Sequence, residues 1–150
     1  MSALVGCALA PVEEPRSTDN NAPIVHDVQR RLAEIFDAAE KKDFRRLDSY
    51  HFYGPQFSKF AGLTFSRLNA REAQAGEHKG LGAASDLQMH ADDLKIDVFP
   101  GSAIATFVLK YSFRAGAARI EKKERATLVF VNRGGEWLIA HEHLSVPSGK

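Results

Sequence analysis

The chain has 150 residues, which is enough for one well-buried core and too few for two ordinary domains. Its 20 Lys and Arg residues nearly cancel its 19 Asp and Glu residues, so no strong field exists to attract nucleic acid or an anionic membrane surface. A single cysteine excludes an internal disulfide framework, and the sequence offers no membrane-spanning segment.

The N-terminal residues 1–22 predict a flexible tail, because residues 10–22 are rich in helix breakers and lack apolar periodicity. Within this tail, Leu4-Val-Gly-Cys7 resembles the bacterial lipobox, whose cysteine carries the lipid anchor. A lipoprotein signal also needs a basic stretch and a longer apolar segment, which the six residues before Cys7 do not contain. We therefore expect a cytoplasmic protein, with a lipoprotein anchored through Cys7 as the alternative if the true start lies upstream.

Two helices are predicted next. Pro23 suits a first turn, and apolar residues recur at helical spacing from there to about Glu40. Asp43 can cap a second, shorter helix that ends before Gly54.

A third helix follows an ambiguous segment. Residues 56–68 are rich in aromatic side chains and fit either a short strand or irregular structure. Asn69, followed three positions later by Glu72, predicts a capped start, and the helix should end around Gly80 and Gly82.

From residue 87 onward the apolar period changes to two, which predicts antiparallel strands. The turns between them fall at Gly101, at residues 114–118 and at Gly134-Gly135, where both glycines accept positive φ. Helices followed by long strands predict one α+β domain at residues 23–150, in which a curved antiparallel sheet wraps around three N-terminal helices and leaves a conical cavity.

The strand sequences carry a family resemblance. Ala105-Thr-Phe-Val-Leu-Lys-Tyr111, Glu124-Arg-Ala-Thr-Leu-Val-Phe130 and Gly135-Glu-Trp-Leu-Ile-Ala-His-Glu-His-Leu-Ser145 resemble the nuclear transport factor 2-like superfamily. The SnoaL-like group and the association domain of calcium/calmodulin-dependent protein kinase II look most similar, over about residues 24–147. The resemblance implies a cystatin-like α+β barrel with a helix-lined conical pocket, and a homodimer formed through the other side of the sheet.

The resemblance also bears on activity. The superfamily includes ketosteroid isomerases, polyketide cyclases, dehydratases and epoxide hydrolases, and other members only bind ligands or assemble. Arginines project into the pocket of the kinase association domain, whereas Val108, Leu128 and Leu144 align with them here. The resemblance therefore implies an apolar guest and leaves open whether the chain is an enzyme.

His141 and His143 are the most conspicuous polar residues of the last strand. They could be packed structural side chains, acid/base groups that titrate near neutrality, or metal ligands with His90 as a third imidazole. With regular pairing across the glycine turn, both share a face with Leu128, while a β-bulge would exchange the faces.

We predict a protein that binds a hydrophobic small molecule without cofactor or metal, and we leave open whether it is an isomerase, cyclase or dehydratase that acts by proton transfer. A non-catalytic ligand-binding or dimeric assembly module is the alternative. The residues assigned to catalysis are His143, Tyr53 and Arg125. The residues assigned to ligand binding are His90, Asp97, Val108, Leu128, His141 and Leu144.

Overall fold

The computed structural model describes residues 18–62 and 64–147. Its elements are a 3-10 turn at Thr18–Asn21, helices α1 (Ala22–Glu40), α2 (Phe44–Ser49) and α3 (Ala70–Ala83), and strands β1 (Ser58–Phe60), β2 (Ser85–Phe99), β3 (Ser102–Ala115), β4 (Ala118–Arg133) and β5 (Glu136–Ser145). The α+β class is confirmed. The tail prediction falls outside the described residues as far as residue 17, and Cys7 with it, so both remain predictions.

Local signals set the helix boundaries. The side chain of Asp43 accepts a hydrogen bond from the Arg46 amide at 3.1 Å and caps α2. Asn69 and Glu72 form a reciprocal capping box at the start of α3, with both hydrogen bonds at 3.0 Å. Helix α3 ends at Ala83, where the glycine pattern predicted its end. None of the helices in the described ranges is long and apolar enough to cross a membrane.

The strands form one curved sheet in the order β1-β5-β4-β3-β2, which is not closed into a barrel. Strands β2 to β5 pair with antiparallel neighbours, as predicted. The ambiguous segment contributes β1, which pairs with β5 in the parallel direction and so departs from the antiparallel expectation. A parallel approach is possible because α3 and three strands separate β1 from β5 along the chain.

The two sheet faces differ in what covers them. Helix α1 packs on one of them, here called the inner face, where Phe36 meets Phe107 of β3 edge to face. The inner side chains of β3 are buried at alternate positions: Ala103, Ala105, Phe107 and Leu109. The intervening side chains point to the outer face, as the pleat requires.

A β-bulge in β5 exchanges the faces of its last residues. Val129 of β4 pairs with His141, and the next residue, Phe130, pairs with Ile139, so Ala140 is the extra residue. Trp137 and Ile139 are buried on the inner face. Beyond the bulge, the inner positions are occupied by Glu142 and Leu144, which follow His141 and His143 in the sequence.

Candidate functional site

Five polar side chains meet on the inner face, between the sheet and α3. We call His51, Tyr53, Lys59, Glu77 and Glu142 the charged cluster. Three of them are almost completely buried, with exposed fractions of 5% for His51, 7% for Lys59 and 5% for Glu142. Because buried charges are tolerated only when they are paired, this cluster is the most specific polar feature of the described interior.

The backbone holds two parts of the cluster in place through β5. Two backbone hydrogen bonds connect the segment after α2 to Ile139. The Phe52 amide donates to the Ile139 carbonyl at 2.8 Å, and the Ile139 amide donates to the Tyr50 carbonyl at 2.9 Å. This tie fixes the residues on either side of Phe52, which are His51 and Tyr53. Lys59 lies directly across from Glu142 in the parallel pairing of β1 with β5.

Glu142 is the centre of the cluster. Its Oε2 lies 2.5 Å from Nζ of Lys59 in an ion pair without well-directed hydrogen-bond geometry, and its Oε1 lies 3.1 Å from Nε2 of His51. Burial alone would raise the pKa of Glu142, but the charge of Lys59 and the hydrogen bond from His51 outweigh it and lower that pKa. Glu142 is therefore a carboxylate at neutral pH.

His51 is held as an imidazolium. Its Nδ1 lies 2.9 Å from the carbonyl oxygen of Leu47, which can only accept a hydrogen bond, so this nitrogen carries a proton. Its Nε2 faces the Glu142 carboxylate and donates to it. Burial opposes the charged ring, but Glu142 and Glu77 outweigh burial and raise the pKa of His51. With Lys59, the cluster contains two cations against two carboxylates.

Glu77 extends the cluster from α3. Its Oε1 lies 3.8 Å from Nζ of Lys59, and its Oε2 accepts a hydrogen bond from the Tyr53 hydroxyl at 3.2 Å. Burial and the charge of Glu77 raise the pKa of Tyr53, so this phenol stays a hydrogen-bond donor. The Tyr53 ring stacks on the His51 ring at 4.7 Å, which fixes both orientations.

The cluster opens into a pocket of about 340 Å³ between α3 and the inner face. Lys59 and Glu77 line this pocket, and so do Tyr111 and Glu124. Most of the remaining lining is apolar: Leu81, Ala83, Ala84, Leu87, Met89, Leu109, Phe113 and Leu144. The volume and composition suit a small, mostly apolar molecule with a few polar groups.

A metal ion fits the cluster poorly. Ligand atoms of His51, Glu77 and Glu142 lie within 4.8 Å of one another, which is a spacing that three metal ligands could have. However, the Lys59 ammonium contacts Glu142 and approaches Glu77, and His51 is protonated on both nitrogens. A metal ion would have to displace the proton on Nε2 of His51, and it would be repelled by the Lys59 ammonium.

Comparison with known proteins identifies the family. Residues 28–149 match the model of the SnoaL-like domain. The chain belongs to the SnoaL-like family. No curated protein matches this SnoaL-like chain significantly.

Solved structures share the SnoaL-like fold at low sequence identity. A provisionally assigned scytalone dehydratase from Novosphingobium aromaticivorans is 14% identical with a TM-score of 0.75, over 87% of this chain and 89% of that one. An NTF2-like superfamily protein from Salmonella enterica is 15% identical with a TM-score of 0.74, over 86% and 94%. The association domain of CaMKII from C. elegans is 14% identical with a TM-score of 0.71, over 86% and 100%. The superfamily resemblance is confirmed.

The histidines predicted from the sequence lie on the outer face of this SnoaL-like domain. His141 is half-buried, and its Nδ1 lies 2.9 Å from Oγ of Ser58. Burial and the neighbouring His143 lower the pKa of His141. His143 is exposed, with its ring centre 6.0 Å from that of Phe60. Strand alternation places both on the opposite side from Glu142, and the bulge at Ala140 makes that side the outer face, so neither reaches the charged cluster.

Four other predicted site residues also lie outside the pocket. Arg125 is exposed and Val108 is half-buried, and both lie on the outer face, where they pair with each other across β4 and β3. His90 and Asp97 lie on β2, where they form exposed ion pairs with neighbours on the same strand. The structure does not bring these four to Tyr53.

The remaining predicted residues lie on the inner face. Leu144 lines the pocket, Leu128 is buried in the core, and Tyr53 belongs to the charged cluster. Sequence reasoning missed the other four members of the charged cluster as site residues: His51, Lys59, Glu77 and Glu142. The sequence does contain a pattern that could have identified Glu77. It lies four residues from both Ala73 and Leu81, so it is a charged residue on the face of α3 that packs against the core.

Proposed function

We propose that this SnoaL-like chain binds an apolar small molecule that carries a carbonyl group, and catalyses proton transfer at the carbon beside that carbonyl without a cofactor. The observation that carries the proposal is the placement of Lys59 and Glu77 at one end of an apolar pocket, with their charged atoms 3.8 Å apart. A base and a cation at that spacing can act on two neighbouring atoms of one ligand.

In this reaction Glu77 is the general base. Its carboxylate takes the proton from carbon, the C–H electron pair forms a C=C bond, and the carbonyl oxygen becomes an enolate beside the Lys59 ammonium. Returning the proton to another carbon isomerises the substrate, whereas giving it to a departing β-hydroxyl releases water. The provisional dehydratase among the structural neighbours favours the second outcome.

The buried members of the cluster act as positioning residues. His51 and Glu142 are shielded behind Lys59, with side-chain exposures of 0% and 7%. Glu142 holds the Lys59 ammonium in place, and the Tyr53 hydroxyl holds Oε2 of Glu77. A preorganised cation stabilises a developing oxyanion without reorganising when the charge appears.

Deuterium exchange tests the proposal without knowledge of the natural substrate. The protein is incubated with 2-tetralone, a bicyclic ketone, in D2O, and the loss of the proton signals beside the carbonyl is followed by NMR. We expect catalysed exchange that Glu77→Gln reduces by about a hundredfold or more. Glu121→Gln, which makes the same change at an exposed position of β4, should exchange as the wild type does.

The same assay examines the role assigned to His143 from the sequence. If proton transfer occurs at the charged cluster, His143→Ala retains exchange. Exchange that survives Glu77→Gln but disappears in His143→Ala would instead favour the outer face and overturn the proposal. Binding of the ketone without any exchange would favour the non-catalytic ligand-binding alternative.

We also propose a homodimer formed through the outer face. Half-buried apolar side chains cover the middle of that face, and they are Ile104, Val129, Val131 and Leu138. The structural similarity to a kinase association domain points in the same direction. Light scattering after size-exclusion chromatography should give twice the 16.5 kDa chain mass, and Val129→Lys should give a monomer.

A further inference from the structure

The pocket has a second polar group, at Tyr111 and Glu124. The Tyr111 hydroxyl donates a 2.9 Å hydrogen bond to Oε1 of Glu124, across the pairing of β3 with β4. Burial and this hydrogen bond raise the pKa of Tyr111 to about 12. Tyr111 therefore remains a neutral donor, and Glu124 remains able to accept further hydrogen bonds.

This second group is separated from the charged cluster by part of the sheet. Glu124 pairs with Leu109 of β3, whereas Lys59 lies on the edge strand β1, beyond β5. Leu109 and Leu144 line the pocket with both groups. A ligand that reaches Lys59 with one end would therefore present its other end to Glu124.

The charges that line the pocket do not balance. Lys59 is the one cation among the lining residues, and its charge is already compensated by Glu142 behind it. Glu77 and Glu124 both bring carboxylates to the lining. A ligand carboxylate would therefore meet more negative than positive charge, whereas a hydroxyl or amine would find an acceptor.

We propose that Glu124, held by Tyr111, determines specificity by accepting a hydrogen bond from a hydroxyl or amine at the end of the ligand remote from Lys59, and by excluding carboxylic acids. This inference rests on the proposed function, because it concerns the same pocket. It assigns the substrate class as uncharged or amine-bearing carbonyl compounds of about bicyclic size.

Three probes of one shape test the assignment. 2-Acetylnaphthalene, its 6-hydroxy derivative and its 6-carboxy derivative differ only at the end remote from the carbonyl, and their binding is measured by isothermal titration calorimetry. We expect the hydroxyl to strengthen binding about tenfold over the parent, since a hydrogen bond to a charged acceptor is worth that much. We expect the carboxylate to weaken it about tenfold or more.

Glu124→Gln keeps the shape and removes the charge. In this variant the 6-carboxy probe should bind within about threefold of the parent. Glu121→Gln, three residues earlier on β4 and exposed, should keep the wild-type ranking. Should Glu124→Gln not fold, Tyr111→Phe serves as a second variant: it leaves the Glu124 charge in place and should still reject the 6-carboxy probe.

The outcomes separate this inference from the function on which it depends. If none of the three probes binds, the pocket is not a ligand site, and the proposed function fails with the inference. If all three bind alike, or the 6-carboxy probe binds best, the assignment to Glu124 is overturned while the pocket remains a ligand site. Rejection of the 6-carboxy probe that persists in Glu124→Gln also overturns it.

Discussion

Lys59→Met should destabilise the protein far more than removal of an ordinary surface lysine. Methionine fills a similar volume, so the change removes charge with little effect on packing. The buried carboxylate of Glu142 would lose the ammonium 2.5 Å away and would keep only His51 as a cationic partner. Glu77 would lose the same cation at 3.8 Å.

The magnitude follows from the burial of the pair. At an effective dielectric constant of about 20, unit charges at this separation attract by roughly 6–7 kcal/mol before desolvation is counted. Removing one partner of a buried pair costs about 3–5 kcal/mol, because the other charge stays buried. For a chain of this length, such a loss lowers Tm by roughly 6–20 °C.

Thermal and urea unfolding of a double-mutant cycle measure this loss. Lys59→Met and Glu142→Gln should each be strongly destabilising, and the double variant should be more stable than the sum of the two losses implies. Lys95→Met is the matched control, because its 2.7 Å pair with Asp97 is exposed, with side-chain exposures of 70% and 42%. That control should lose less than about 1 kcal/mol. Equal, small losses for Lys59→Met and Lys95→Met would refute the burial reasoning.

Three further predictions concern other parts of the chain. Because the pKa of His51 is raised on folding, the stabilisation from protonated His51 is complete below the unfolded pKa of 6.5 and is lost as the pH rises through the folded pKa. His51→Gln should therefore abolish this decline of Tm with rising pH. The lowered pKa of Glu142 acts oppositely, so its contribution holds above 4.5 and is lost on acidification, and Glu142→Gln should flatten the acid limb of the same melts. Asn69→Ala should cost about 1 kcal/mol in urea unfolding by removing the α3 cap, and no loss would show that α3 contributes little to global stability.

Local signals in the sequence predicted most of the fold. The caps at Asp43 and Asn69 act within one turn, and the turn at Gly134-Gly135 depends on backbone freedom at those two positions. Such features can be predicted from the sequence because residues that are close together in the chain determine them. The antiparallel strands β2 to β5 follow from the change of apolar period after α3.

The site was less accessible to sequence reasoning because long-range contacts assemble it. Lys59 meets Glu142 through a parallel pairing between segments 83 residues apart, which no local pattern encodes. The face that each residue at the end of β5 occupies depends on one extra residue, Ala140. The sequence predicts one face for regular pairing and the other for a bulge, and alternation alone does not decide between them. Tyr53, which the sequence assigned to catalysis, belongs to the charged cluster because the backbone tie between the segment after α2 and β5 holds it there.

The bulge at Ala140 makes the chemistry of the site depend on how one residue is accommodated in the pairing of β5 with β4. If Ala140 were instead paired regularly, opposite Val129, every later residue of β5 would move by one position, so that the two imidazoles would point inward and the carboxylate between them would face outward. A one-residue slip of this strand end would therefore exchange an inward carboxylate for two inward imidazoles without any change of sequence. Alignments of SnoaL-like proteins should accordingly be registered on the inward positions of the last strand before residues are compared.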